Sequence, residues 1–89
     1  MTLKIEKTLN WGRTTVRLIG RVQAEELPEV TRQLEVSGPR AVLQLDEVTL
    51  VDVDVVRFLN SRQAEGVRLI KCPPYIREWM SQERNRSQE

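Results

Sequence analysis

Apolar and polar positions along this chain alternate in short blocks whose spacing changes from element to element. Leu3, Ile5, Thr8 and Leu9 mark a short, irregular strand over residues 3–9. Asn10-Trp11-Gly12 is a turn signal, with Gly12 suited to a positive φ. Thr14 to Val22 is a stronger strand, carried by Thr15, Val16, Leu18, Ile19 and Val22. Two such runs around a short turn predict a hairpin. From Ala24 to Val36 the period becomes helical, with Leu27, Val30 and Leu34 on one face and Glu25, Glu26, Glu29, Arg32 and Glu35 elsewhere. Pro28 is compatible only with the first turn, so the helix is expected to begin near Glu26 or Leu27. Gly38-Pro39 ends it. Arg40 to Leu45 is nearly all apolar, as for a strand covered on both faces, and Asp46-Glu47 marks its expected end.

Residues 48–65 carry two patterns at once. Val51, Val53 and Val55 alternate with Asp52 and Asp54, which locally describes a strand. Val55, Val56, Phe58, Leu59 and Ala64 fit one side of a helix with Asp52 as its N-cap and Asp54 in its first turn. From Arg57 to Glu65 the pattern is helical either way, and Gly66 closes it. Val67 to Ile70 is a short strand. Pro73-Pro74 then starts a helix with Ile76, Trp79 and Met80 on one face. Residues 81–89 are polar and are expected to fray. The resulting order, β-β-α-β-α-β-α, predicts an α/β fold with a mixed β-sheet. Right-handed crossovers would place the helices mainly on one face of that sheet.

Composition narrows the classes of function. The chain has 89 residues, which sets a single small domain. Hydrophobic residues are 39% and charged residues 30%, ordinary for a globular protein. No apolar run approaches the roughly 18 residues that span a bilayer. The opening residues Met1 to Glu6 carry charges where a signal peptide needs an apolar stretch. A cytoplasmic location without direct membrane insertion is therefore expected. The net charge of +1 gives no case for nucleic acid. Residues 23–65 nonetheless hold nine acidic against four basic side chains, which would make either an acidic helical docking face or, as charge alone favours, an ordinary solvated surface.

Candidate chemistry is sparse. There is no histidine, and the single cysteine, Cys72, excludes an internal disulfide. Lys71 beside Cys72 would favour its thiolate, but a small buried thiol at a strand end is the expected state. Asp52 and Asp54 are close in sequence, as paired carboxylates are in acid–base or metal sites, yet here a helix cap and a surface acid describe them better. Trp79 is expected in the core, whereas Trp11 fits either the core or an interface. Arg57 and Arg62 would pair with nearby acids, face a partner or lie in solvent. No phosphate loop, metal-ligand spacing or Ser/His or Cys/His pair is present. A non-catalytic protein with no cofactor and no metal is expected.

Three segments in order resemble the STAS family, the fold of the anti-sigma-factor antagonists of bacterial-type signalling. Gly20-Arg21-Val22 is similar to a Gly-x-Leu that ends the family's second strand. Ala41 through Asp52 resembles its apolar strand and the Val-Thr-Phe-Ile-Asp-Ser-Ser-Gly loop that opens its second helix. Gly66 to Ile70, then Pro73-Pro74-Tyr75-Ile76-Arg77, resembles the late strand and Pro-Pro-x-Val-Arg helix start. The resemblance covers residues 3–80 and implies one STAS-like domain with a polar tail after it. It also favours a helix beginning at Asp52. It implies a protein-interaction module in transcription regulation, with a partner-binding surface at Asp52, Val53, Asp54, Val55, Arg57 and Phe58. The partner would be an anti-sigma-factor-type kinase or, alternatively, a subunit of a stress-signalling or lipid or anion transport assembly, with a homodimer also open. The departures are specific. Val53 stands at the family's phosphoacceptor serine and carries no hydroxyl, so that switch is not expected to operate. Asp54 replaces a second serine and would be a poor mimic of phosphoserine or simply a first-turn carboxylate. Val55 replaces a glycine, and Gln23 stands where the family often has an acid. Many family members continue with a further strand and helix where this chain has its polar tail.

Overall fold

The computed structural model describes residues 3–87. β1 (Leu3–Asn10) and β2 (Arg13–Val22) form the hairpin, and a 3₁₀ turn (Ala24–Glu26) leads into α1 (Leu27–Ser37). The chain continues through β3 (Val42–Val51), α2 (Val53–Ala64), β4 (Arg68–Ile70) and α3 (Pro74–Ser87). The strands form one mixed sheet in the order β1-β2-β3-β4. β1 runs antiparallel to β2, while β2, β3 and β4 are parallel. The hairpin turns at Trp11 (φ 56°) and Gly12 (φ 74°). Two consecutive left-handed residues suit the right-handed twist of the strands, at a steric cost borne by the tryptophan.

The core lies between one face of the sheet and the helices. Val16, Leu18 and Val22 of β2 and Leu43 and Leu45 of β3 point into it, together with Val30 and Leu34 of α1, Val55, Val56 and Leu59 of α2, and Ile76 and Met80 of α3. Trp79 packs against this cluster from a half-buried position. Pro28 falls in the first turn of α1, where its missing N–H is harmless. Gly38, at φ 91°, ends that helix and donates its N–H to the carbonyls of Leu34 and Glu35 at 3.2 and 3.3 Å.

Two boundaries differ from the sequence pattern. The third strand does not stop at Asp46-Glu47 but runs on to Val51. Its register against β2 slips twice, between Arg17 and Ile19 and between Gly20 and Arg21. Each slip inserts an extra residue into β3, so Leu45, Val48 and Val51 are all buried although they are three residues apart. The acidic pair is tolerated inside the strand because Arg17 meets Asp46 at 3.8 Å and Glu47 at 3.0 Å. The second difference is at the C-terminal end, where the expected polar tail from residue 81 is instead helix as far as Ser87. Glu83 is buried and accepts a hydrogen bond from Arg57 Nε at 3.1 Å. Asn60 ties α2 to α3 by donating to the Met80 carbonyl at 3.0 Å and accepting from Arg84 at 2.9 Å. Polarity there marks an ionic and amide seam between two helices.

Candidate functional site

The carboxyl ends of the parallel strands lie at one end of the sheet, and each chain segment leaving them enters a helix. The strand-or-helix conflict over residues 51–55 is resolved here in favour of helix. Asp52 is extended (φ −110°, ψ 178°) and caps α2 by accepting the Val55 N–H at 3.0 Å through Oδ1. Its Oδ2 accepts the Ala24 N–H, also at 3.0 Å. One carboxylate therefore joins the first turn of α2 to the 3₁₀ turn that leads into α1. Next to it, Glu26 Oε1 accepts the Gln23 N–H at 2.8 Å, so the two helix entries share a continuous set of satisfied donors.

This frame sets the exposure of the residues after Asp52. Val53 is half-buried and Asp54 is exposed in the first turn of α2. Val55 is 1% exposed and belongs to the core. It therefore leaves the set of partner-facing residues: the third position of α2 points inward, so its valine serves packing. Arg57 is exposed and held by Glu83. Phe58 is half-buried against the core, with the Arg62 guanidinium 5.1 Å from its ring centre. Arg62 also meets Glu65 at 3.1 Å. Of the other expected positions, Asp54 and Arg57 are exposed, and Asp52, Val53 and Phe58 are half-buried.

Two further neighbours carry no signal in the sequence. Leu50, two residues before the cap, is 48% exposed, and Tyr75, at the start of α3, is 47% exposed. The Tyr75 hydroxyl reaches the Val48 carbonyl at 3.4 Å, which places both at the same end of β3. β4 pairs with Val42 to Gln44, so among the described residues the later part of β3 has no strand neighbour on that side. The bulges that turn Leu50 outward have no signature in the hydrophobic pattern.

The remaining candidates lie outside this surface. Cys72 is half-buried, and burial pushes its thiol upward, against a smaller opposing effect of Arg77. Trp11 is 94% exposed at the hairpin tip, far from this end of the sheet. Among the described residues, no group of three or more His, Cys, Asp or Glu side chains is placed to hold a metal ion. Among the same residues, no helix is long and apolar enough to cross a membrane. The class that the fold defines is a small α/β domain, with a four-stranded mixed sheet and three α-helices among the described residues. The chain matches no protein-family model and no curated protein.

Proposed function

We propose that this chain is a STAS-like, non-catalytic interaction module that binds a regulatory protein partner through the start of α2. The observation that carries this is the Asp52 frame. A cap tied to two helix entries holds Val53 and Asp54 at the surface in a fixed backbone geometry. A backbone segment held this rigidly loses little entropy on docking. Val53 has no hydroxyl, so binding at this site does not depend on serine phosphorylation. Asp54 supplies a permanent negative charge beside it, and exposed Leu50 and Tyr75 extend the surface with apolar area. An anti-sigma-factor-type kinase is the partner that the family resemblance favours.

The alternative is a fixed subunit of a larger STAS-containing assembly. Exposed apolar side chains at both ends of the domain support it: Leu9 and Trp11 at the hairpin, Leu50 and Tyr75 at the other end. Affinity capture from the native host, with mass spectrometry of the captured proteins, separates the two. A kinase-type regulator released by Asp54→Arg supports the first. Assembly subunits at constant stoichiometry, insensitive to Asp54→Arg, support the second.

A further inference from the structure

The β1–β2 tip is a protruding knob with an unusual composition. Trp11 is 94% exposed and Leu9 73% exposed, the two most exposed large apolar side chains among the described residues. Trp11 also holds a left-handed φ of 56°, a region that bulky residues rarely adopt. The isolated domain thus bears a strained turn that displays an indole to water. Two arginines lie beside it. Arg13 and Arg40 share a cleft of about 300 Å³ with Trp11, and both line a second cleft, of about 470 Å³, with Arg68. None of the three takes part in an ion pair within the domain among the described residues. Tryptophan and arginine are the side chains that most often anchor protein interfaces.

A groove of complementary character lies on the same chain, between β1 and the start of α1. It has a volume of about 730 Å³, apolar lining from Leu3 and Ile5, and acidic lining from Glu25, Glu26 and Glu29, with Lys7 as its basic member. Glu29 already pairs with Arg32 at 2.9 Å and accepts a hydrogen bond from Gln33, which keep its carboxyl below the usual range, so Glu25 and Glu26 carry most of the groove's available charge. The knob cannot reach this groove in its own molecule. Leu3 pairs with Gly20 at one end of the hairpin and Asn10 with Arg13 at the other. At about 3.4 Å per residue the strand alone separates them by roughly 20 Å or more.

We propose that the β1–β2 tip of one copy docks in the β1–α1 groove of a second copy. Trp11 would enter the apolar lining, and Arg13 and Arg40 would meet Glu25, Glu26 and Glu29. The two patches differ, so the contact is head to tail, and each added copy leaves a knob and a groove open at the ends. Association therefore grows with concentration, and it weakens with salt because the charges sit at an exposed rim. The proposal is independent of the α2 surface, which takes no part in the contact.

Sedimentation velocity of the whole chain from micromolar to millimolar concentration tests this. Trp11→Asn removes the knob and places a favourable residue in the turn, so it keeps the fold. Glu25→Lys with Glu29→Lys reverses the groove at its acidic rim, and Arg40→Glu is a second reversal on the knob side should the groove variant not fold. The wild-type mass should rise with concentration, and each variant alone should stay monomeric. An equimolar mixture of Trp11→Asn and the groove variant retains one intact groove and one intact knob, so it should reach a dimer and stop there. A wild-type monomer at all concentrations, growth that persists in Trp11→Asn, or a monomeric mixture would overturn the proposal.

Discussion

Replacing Asp52 with alanine removes two hydrogen bonds. The first is the N-cap of α2, where loss of an Asp cap costs about 1 kcal/mol, within a range of roughly 0.5–2. The second is the bond to the Ala24 N–H, a partly buried donor whose loss costs about 1–3 kcal/mol when water does not replace the partner. Together these give about 2–4 kcal/mol, a large part of the roughly 5–15 kcal/mol that holds a small domain folded. Asp52→Ser separates the two terms. A serine still caps α2, but its shorter side chain does not also span to Ala24, so its cost should be about half that of alanine. Urea unfolding monitored by circular dichroism measures both, with the slope against denaturant held constant as the check on two-state behaviour. For a domain of this size, about 3 kcal/mol corresponds to a fall in Tm of roughly 12–24 °C. A loss below about 1 kcal/mol for alanine, or equal losses for alanine and serine, would show that the carboxylate does not join the two helix entries.

The same geometry makes further outcomes testable. Glu83→Ala should destabilise the fold by about 1–3 kcal/mol, because it strips a buried partner from Arg57 and loosens the contact between α2 and α3; an unchanged urea midpoint would refute the seam. Trp11→Asn should raise stability by up to about 1 kcal/mol by relieving the left-handed strain, and a fall in Tm would contradict it. Cys72 should react with iodoacetamide more slowly at mildly alkaline pH in the folded chain than in guanidinium, since burial disfavours its thiolate. The folded thiol holds its proton more tightly than the unfolded one, so this group's stabilising effect is complete below the unfolded value, near 9.0, and is lost as pH rises through the higher folded value. A Cys72→Ala variant should show a smaller loss of stability over that alkaline range, and an identical loss would refute the assignment.

The order of elements is legible because glycine and proline punctuate it at Gly12, Gly38-Pro39, Gly66 and Pro73-Pro74. The features that escape the pattern have physical causes. Two bulges carry β3 past Asp46-Glu47 by shifting the inward period from two to three, and Arg17 answers both acids from the neighbouring strand. A period-two ruler reads such a stretch as a strand that has ended. The start of α2 at Asp52 is visible in its cap chemistry, but the second half of that residue's role is not, because Ala24 lies 28 residues earlier in the chain. Val55 reads as part of a surface motif by its position in sequence, and the helix turns it into the core. Glu83 reads as one more polar residue of a tail, and only the packing of α3 on α2 makes it a buried partner. Long-range partners of polar groups are set by topology, which the alternation of apolar residues does not encode.

The proposed interaction surface at the start of α2 is tested most directly by quantitative affinity capture from the native host, with wild type and Asp54→Arg compared side by side. Asp54 is exposed in the first turn of α2, outside the core, so the variant should retain the wild-type circular dichroism spectrum. A regulatory partner enriched by wild type and lost with folded Asp54→Arg is the expected result. The same partner captured equally by both proteins would place the interface elsewhere on the domain.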